Sequence, residues 1–348
     1  MFLNIAAQDF QLSQFTENPA LLNPALTGYK NPLRASLSFK EQSRGFNSNY
    51  KTFGLSFETR LTQSEWKQVD KYRTMTFREK SISRLAVGLS IYSDKAGEAE
   101  LGTTLSNLSL AYFIPLNSSQ FLSFGLQASA VQKKINNSAL IFPNQYNGET
   151  YDPLSPSGEN FTSLYYVYSD FATGFLWSYK HKEERIGSGT QTKINFGLSV
   201  FHLNKQSETF LLQGNYLNRK YIVHGEMLFY PSSKNIALNP SFVFQQQTVA
   251  HQIIFGTMVN YFSSHNSKYT GFLKRSSFGF GCYYKSPGQL IAAISLEKNE
   301  QYSINISYDA GLMPIAGYAG ATRSLELLLR FTLPHSFLYQ KKVKIGDD

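Results

Sequence analysis

The chain has 348 residues and a formal net charge of +9, yet only 16% of its residues are charged, while 15% are aromatic. Disordered chains combine few aromatic residues with many charges, so the composition excludes that class. The single cysteine, Cys282, excludes an internal disulfide framework. No segment has the roughly 18 consecutive apolar residues that a membrane-spanning helix requires.

The excess of basic residues does not indicate a nucleic-acid-binding protein. Such domains usually concentrate lysine and arginine on one face or stripe. Here the basic residues are scattered, and the two densest groups, at 180–185 and 341–344, are typical of solvated charged segments. We therefore predict no nucleic-acid partner.

The first seven residues are short and mostly apolar, and residues 5–7 are similar to the small-residue end of a signal-peptide cleavage site. We interpret residues 1–7 as a signal-peptide remnant and Gln8 as the mature start. An ordinary amino-terminal strand is the alternative, and seven residues do not distinguish the two.

Residues 8–33 form a separate amino-terminal segment. Asn18-Pro19 and Asn23-Pro24 favour turns, and Gly28 can adopt a positive φ. Two interpretations remain open for this segment. It either folds into a compact plug at the periplasmic opening of the β-barrel predicted below, or it only connects to the first strand of that barrel.

From residue 34 onward, apolar and polar residues alternate with a period of two, which indicates β-strands. Strands of soluble proteins average about 5–6 residues, whereas a tilted strand needs about 9–11 to cross a bilayer, and these run about 10–13. Aromatic residues gather near the strand ends, as in the belts of membrane barrels. We predict an all-β fold, a transmembrane antiparallel β-barrel of fourteen strands within residues 34–333. The predicted strands are 34–44, 50–60, 82–93, 103–114, 119–133, 165–180, 191–202, 219–230, 235–247, 249–262, 274–285, 289–298, 300–309 and 322–332.

The long connections 134–160, 203–218 and 311–321 lie on one side of this barrel, opposite both termini. Bacterial barrels have short periplasmic turns and longer extracellular loops, so we predict periplasmic termini and extracellular long loops. The connection 61–81 is atypically long for the periplasmic side, and residues 334–348 are predicted to be a basic periplasmic tail. Candidate partner-binding residues in the loops are Asn144, Tyr146, Tyr151, Asp152, Phe210, Tyr216, Met313 and Tyr318.

Several charged residues occupy positions that alternation directs into the lumen: Arg34, Lys40, Glu58, Arg60, Arg84, Glu326 and Arg330. Closing the barrel places the last strand beside the first, so we expect Glu326 and Arg330 to neighbour Arg34 and Lys40. Because the two signs are interleaved, a lattice of salt bridges that braces the lumen is favoured over a lined passage or a receptor for a plug.

No pattern in the sequence indicates catalysis. The six histidines are scattered, and neither a nucleophile elbow nor a phosphate-binding loop is present. His202 and His224 lie near strand ends with serines nearby, which leaves a hydrolase with a Ser–His pair in the barrel wall as a weak alternative. We predict no enzyme activity, no cofactor and no metal site.

The most specific pattern lies in residues 9–28, where matching positions of a known signature are filled by Asp9, Gln11, Ser13, Gln14, Asn18, Pro19, Asn23, Pro24, Ala25 and Gly28. This segment resembles the amino-terminal signature of the PorP/SprF family of type IX secretion membrane proteins, D-P-Q-F-S-Q-Y followed by N-P-x-x-x-N-P-A-x-x-G. Phe10 replaces the usual proline and Leu12 an aromatic residue. The carboxyl end is similar up to Phe331, where the family usually ends, although this chain continues.

The resemblance implies an outer-membrane barrel that works with the type IX secretion system. Family members help to secrete large surface adhesins, some of them in gliding motility, or hold them at the surface, and they also contact periplasmic components of the system. We therefore expect a barrel in the bacterial outer membrane that binds the carboxyl-terminal (type B) domain of such an adhesin. A small-solute channel gated by the amino-terminal segment is one alternative. A structural anchor to periplasmic components through residues 61–81 and the tail is another.

Overall fold

The computed structural model describes residues 11–42, 50–61, 84–96, 101–117, 119–135, 143–152, 155–156, 158, 165–182, 191–208, 215–231, 235–263, 276–312 and 323–333. In these ranges, fourteen long strands form one closed antiparallel barrel, which confirms the predicted all-β fold. The strands are β1 (Leu33–Gln42), β2 (Tyr50–Leu61), β3 (Leu85–Ala96), β4 (Leu101–Pro115), β5 (Gln120–Lys134), β6 (Tyr165–Lys182), β7 (Gln191–Phe201), β8 (Ser207–Glu208), β9 (Asn215–Tyr216), β10 (Lys220–Tyr230), β11 (Ile236–Gln247), β12 (Ala250–Phe262), β13 (Ser277–Lys285), β14 (Gln289–Lys298), β15 (Tyr302–Gly311) and β16 (Ser324–Leu333).

The barrel follows the order of the chain. Neighbours in sequence pair with each other, β16 closes on β1, and β7 pairs with β10 because the two-residue strands β8 and β9 form a small sheet of their own. We call the end that holds the start of β1 and the end of β16 the terminal end, and the opposite end the distal end.

Alternation along each strand sorts side chains between the two faces of the wall. In β1, Leu37 and Phe39 are exposed on the outer face, whereas Ser36, Ser38 and Lys40 are buried inside. A closed sheet leaves no unpaired strand edge, and an apolar outer face suits a lipid environment. No helix in the described part of the chain is long and apolar enough to span a membrane.

The predicted strand boundaries agree with the structure to within a few residues. The largest shift is in β3, which was predicted at 82–93 and lies at Leu85–Ala96. Pairing with β2 sets these limits, since the ladder begins at Leu61 opposite Leu85 and reaches Lys51 opposite Lys95. Tertiary pairing, which alternation does not encode, therefore decides where the strand ends.

Candidate functional site

The amino-terminal segment lies inside the barrel. We call residues 11–30 the plug, because most of their side chains are buried against the inner wall. The plug contains a 3-10 turn at Phe15–Glu17, the helix α1 (Pro19–Leu22) and a 3-10 turn at Pro24–Leu26. It also supplies apolar residues to a hydrophobic core in the lumen, where Leu22 and Leu26 share one buried cluster with Leu176 and Ile222.

Each Asn-Pro pair of the plug starts a short helical element. Pro19 and Pro24 occupy first helical positions, where the missing N–H needs no partner and the fixed φ is already suitable. The side-chain oxygen of Asn23 also accepts a hydrogen bond of 2.8 Å from the N–H of Ala25, which caps the second turn.

The plug runs lengthwise through the lumen. Toward the distal end, Lys40 Nζ donates to the carbonyl oxygen of Gln11 over 2.9 Å. Toward the terminal end, Glu17 meets Arg34 of β1 and Arg330 of β16. The segment thus descends from the distal half of the barrel to the terminal end, where it later joins β1.

The first part of the plug is held by polar contacts with β15 and β16. Glu326 accepts hydrogen bonds from the backbone N–H of Ser13 (2.6 Å) and Gln14 (3.2 Å). Ser13 Oγ donates to Asp309 over 2.5 Å, and Lys40 Nζ donates to Ser13 Oγ over 2.7 Å. Since these groups are buried, the contacts satisfy charges that would otherwise be costly to bury.

Glu17 is the charged centre of the plug. Its carboxylate lies 3.1 Å from Arg34 and 2.5 Å from Arg330. Burial alone would raise the pKa of this carboxyl, but Arg330, Lys30 and Arg34 together hold it below its ordinary value of 4.5. Glu17 therefore stays ionised and joins the plug to the first and last strands.

The second part of the plug lies along a row of small residues in the wall. Five neighbouring strands contribute one residue each to a continuous line of paired positions, which is Ala86, Ala111, Gly125, Gly174 and Ser199. Such residues leave room for a backbone to approach the sheet closely. The row forms a groove that we call the small-residue row.

Residues 22–28 fill this groove. A Cβ atom on Gly125 would lie 2.2 Å from the backbone of Ala25, and one on Gly174 would lie 1.9 Å from the side-chain oxygen of Asn23. Ser199 Oγ donates to the carbonyl of Leu22 over 2.7 Å. The residues of the N-P-A-x-x-G pattern, 23–28, therefore pack closely against the small residues of the wall.

Asn23 is the main polar anchor in the groove. Its Nδ2 group donates to the carbonyls of Phe175 (3.0 Å) and Leu198 (3.2 Å), and it also lies 3.0 Å from His224 Nε2. Because Asn23 is fully buried, these contacts satisfy an amide that has no access to water.

Gly28 ends the groove between two charged wall residues. Its φ of +65° is the left-handed conformation that favours glycine. Its N–H donates to Glu58 over 2.8 Å, and its carbonyl accepts from Arg60 Nε over 2.5 Å. Arg60 also donates to the carbonyl of Tyr29 over 3.0 Å.

A cavity of about 290 Å³ lies beside the plug, on the side of the lumen away from the small-residue row. Its wall comes from β7 and β10–β16. The side chains include Lys193, Glu226, Asn239, Asn260, Glu297 and Arg330. The lumen is thus filled on one side and holds a polar cavity on the other.

The predicted lumenal charges are placed largely as expected, but their role differs. Lys40 does face Glu326 across the β1–β16 pairing, and Arg34 faces Glu58 across β1–β2. The favoured lattice between wall residues is present in part, since Lys40 lies 3.6 Å from Asp309 and 3.9 Å from Glu326, and Arg330 lies 3.7 Å from Glu297. Most of these charges bind the plug, because its backbone brings unpaired donors and acceptors into the lumen.

The predicted lumenal position of Arg84 was wrong. It was predicted to face the lumen, but it lies just before β3 at the terminal end and is exposed. Its backbone carbonyl accepts a hydrogen bond from Phe113. The pairing of β3 begins at Leu85, but the alternation of residue types extends beyond it. Alternation alone therefore placed Arg84 inside the lumen.

The predicted partner-binding residues fall at the distal end where they are described. Tyr146 and Tyr151 are about half exposed. Their backbones form an isolated antiparallel β-bridge, and their ring centroids lie 5.1 Å apart. Asn144 and Asp152 flank this pair, and Tyr216 is exposed in β9. Phe210, Met313 and Tyr318 lie outside the described residues.

Sequence reasoning missed the small-residue row and the importance of Glu17. The signal for the row was available, because Ala86, Ala111, Gly125 and Gly174 are small residues at inward positions of neighbouring strands. Their alignment depends on strand register, however, which a single sequence does not give. Glu17 lies between two recognised motifs, and no sequence pattern indicated that it would bind the wall.

The described residues form no metal site of the common His, Cys, Asp and Glu type. No group of three or more His, Cys, Asp or Glu side chains in the described ranges is arranged to hold an ion. His202 Nδ1 lies 3.0 Å from Asp170 near the distal end, and both residues are buried.

Comparison with known proteins identifies the family. Residues 4–331 match the family described as type IX secretion system membrane protein PorP/SprF. The chain belongs to the PorP/SprF family. Like the family, this PorP/SprF protein is a component of type IX secretion, and its closed β-barrel is located in the outer membrane.

Solved structures similar to this PorP/SprF protein include other barrels at very low identity. The Pseudomonas putida toluene transporter TodX has 6% identity and a TM-score of 0.40, covering 90% of this chain and 91% of that one. A Pseudomonas aeruginosa FadL homologue has 9% identity and a TM-score of 0.41, with 90% and 93% covered. The porin NanC has 8% identity and a TM-score of 0.35, with 86% and 100% covered. No curated protein matches the chain.

Proposed function

We propose that this PorP/SprF barrel is a non-enzymatic partner of a type IX secreted surface adhesin and binds the adhesin's carboxyl-terminal (type B) domain at the distal end. The observation that carries the proposal is the plug, which occupies the lumen along its length and is bonded to strands on opposite sides of the wall. A lumen that the plug occupies along its length favours a role in which the client docks on the barrel over one in which it passes through.

The distal loop at 143–152 offers a suitable docking surface. A bridge joins Tyr146 to Tyr151, and the N–H of Asp152 donates to the carbonyl of Gln145 over 2.8 Å. Exposed tyrosines are enriched at protein interfaces, and a loop ordered before binding loses less entropy when the partner arrives. This argument requires the distal end to be extracellular, which the predicted long loops on that side support.

Two changes to this loop test the proposal. We expect the double substitution Tyr146→Ala and Tyr151→Ala, and the deletion of residues 140–158, to abolish client retention at the cell surface. Retention is measured by a mild-detergent pull-down of the tagged barrel followed by mass spectrometry. The matched control is Tyr302→Ala, which removes an exposed outer-face tyrosine at the terminal end.

The variants must still form heat-modifiable barrels in the membrane. Recovery of a large secreted protein with a type IX sorting domain by the wild type and the control, but not by the loop variants, supports the proposal. Equal recovery by all variants removes this loop as the docking surface. Recovery of the barrel alone from the wild type contradicts an adhesin partner.

A small-solute channel is the second candidate, and the cavity beside the plug is the observation that favours it. Under this alternative, conductance of the reconstituted barrel rises when residues 8–28 are removed, and the wild type also conducts. We expect the wild type to be closed, because the plug forms hydrogen bonds with β1, β2, β4–β7, β10, β15 and β16. The anchor alternative involves residues 61–81 and 334–348, which lie outside the described residues apart from Leu61.

A further inference from the structure

Three side-chain oxygens in the distal half of the lumen are buried and accept no hydrogen bond from the described residues. They are Oδ1 of Asn107 in β4, Oε1 of Gln127 in β5 and Oδ1 of Asp170 in β6. Each of the three residues is only 4% exposed, so bulk water does not reach these oxygens. Buried acceptors without partners are costly, and three of them together point to an occupant.

Strand pairing centres the three residues on one position of the wall. Ser129 of β5 lies opposite Asn107 on one side and opposite Asp170 on the other. Gln127 occupies the next inward position of β5, and its Nε2 group donates to Ser129 Oγ over 3.3 Å. The carboxamide of Gln127 therefore lies beside Ser129. We call the side-chain oxygens of these four residues the oxygen cluster.

The two outer residues of the cluster turn their unpaired oxygens toward β5. Asn107 Nδ2 donates to Ser90 Oγ of β3 over 3.0 Å, so the oxygen on the other side of the carboxamide points away from β3. Asp170 Oδ2 lies 3.0 Å from Nδ1 of His202, which follows β7, so Oδ1 points away from β7. Asn107 and Asp170 thus direct unpaired oxygens toward the middle strand from opposite sides.

The oxygen cluster contains one carboxylate, that of Asp170. Among the described residues, His202 is the one group within ion-pair distance of it. A neutral imidazole donates its Nδ1–H to the carboxylate and leaves the negative charge in place. Because a buried charge is costly unless it is paired, the cluster requires a cation close to Asp170 Oδ1.

We propose that the oxygen cluster binds one Na⁺ ion. The ligands are the side-chain oxygens of Asn107, Gln127, Ser129 and Asp170. Carboxylate and carboxamide oxygens are typical ligands of hard cations. One Na⁺ balances the single carboxylate, whereas Ca²⁺ would leave a buried positive charge. Mg²⁺ usually keeps several of its waters, for which a site closed to solvent offers little room.

The Na⁺ site lies between the plug and the distal end. Ser129 is two inward positions distal to Gly125 of the small-residue row, and Ser109, between these levels, accepts a hydrogen bond of 3.0 Å from Thr27 of the plug. Strands β5 and β6 also carry the connection that contains the distal loop 143–152. The ion joins β4, β5 and β6, and its binding does not depend on the proposed adhesin. The sequence gives no signal for the site, because its ligands come from three strands.

Thermal stability in different salts tests the proposal. The purified barrel in N-methyl-D-glucamine chloride is titrated with NaCl, KCl or CaCl₂ at constant ionic strength, and the temperature at which heat modifiability is lost is measured. We expect Na⁺ to raise this temperature most, by about 2 °C for each tenfold rise in concentration above the dissociation constant. Asp170→Asn removes the charge at nearly unchanged shape and should abolish the response to Na⁺. Asp94→Asn is the matched control, because Asp94 has its own partner, Thr52, at 2.6 Å and should leave the response intact.

Asn107→Asp is a second test that does not rely on loss of binding. It adds a second carboxylate at nearly unchanged shape, so the cluster should then prefer Ca²⁺ to Na⁺. This variant decides the question if Asp170→Asn does not fold. The site is overturned if Na⁺ and N-methyl-D-glucamine give the wild type equal temperatures, if folded Asp170→Asn keeps the Na⁺ response, or if folded Asn107→Asp gains no response to Ca²⁺. An equal response of the wild type to K⁺ overturns the assignment of Na⁺.

Discussion

Arg330 of the last strand donates to the carboxylate of Glu17 in the plug over 2.5 Å. Arg34 of the first strand lies 3.1 Å from the same carboxylate. One plug residue therefore binds both strands of the pair that closes the barrel, and its loss affects plug and closure together.

Glu17→Gln should destabilise the barrel strongly. The substitution leaves Arg34 and Arg330 largely buried without their shared counter-ion, and removing one partner of a buried pair costs about 3–5 kcal/mol. We expect a lower temperature for the loss of heat modifiability on gels. Glu149→Gln, the same change in an exposed loop residue, is the control and should leave that temperature unchanged. Equal temperatures for Glu17→Gln and the wild type would show that the contact is not important for stability.

The contribution of Glu17 should persist in moderate acid. Because its folded pKa is lowered, its stabilising effect is complete above the ordinary value of 4.5 and is lost only as the pH falls through the lower folded pKa. The difference in unfolding temperature between the wild type and Glu17→Gln should therefore be constant from pH 7 to about 5 and shrink below 4.5. Thermal scans of both proteins across this range measure it. A difference that disappears near pH 6 would contradict the assignment.

Gly125→Ala should displace the plug. The new Cβ would lie 2.2 Å from backbone atoms of Pro24 and Ala25, which is far shorter than a van der Waals contact. Overpacking of this kind costs about 1–3 kcal/mol or more. Faster proteolysis of the plug in the purified barrel measures the effect. Gly102→Ala is the control, because its Cβ would meet only the flexible side chain of Lys134. Similar digestion of both variants would refute the close fit.

Asn23→Ala should loosen the same region by loss of hydrogen bonds rather than by a clash. It removes the donor to the carbonyls of Phe175 and Leu198 and the cap on Ala25. Buried groups left without partners cost about 1–3 kcal/mol each. Asn147→Ala, which removes an exposed turn cap at the N–H of Glu149, is the control. A thermal shift no larger than the control's would count against Asn23 as an anchor.

The fold was predictable because alternation, strand length and strand ends are local properties of the sequence. The inward position of Lys40 and its place beside Glu326 follow from the period of two and from barrel closure. What the charges bind was not predictable. Glu58 and Arg60 hold the backbone of Gly28, and a backbone acceptor or donor has no signature in the sequence.

The same limit applies to the small-residue row. Its alignment requires the register of five neighbouring strands. Strand register is set by pairing across the sheet, so a single sequence leaves the row undetermined.

The lengthwise path of the plug has a consequence for the biogenesis of the barrel. Ser13 and Glu326 are 313 positions apart in the chain, yet they are bonded to each other inside the closed wall. We expect a segment that crosses the lumen and continues directly into β1 to be in place before β16 completes the circle. In that order of events, the contacts of Glu17 with Arg34 and Arg330 would help to bring the last strand to the first.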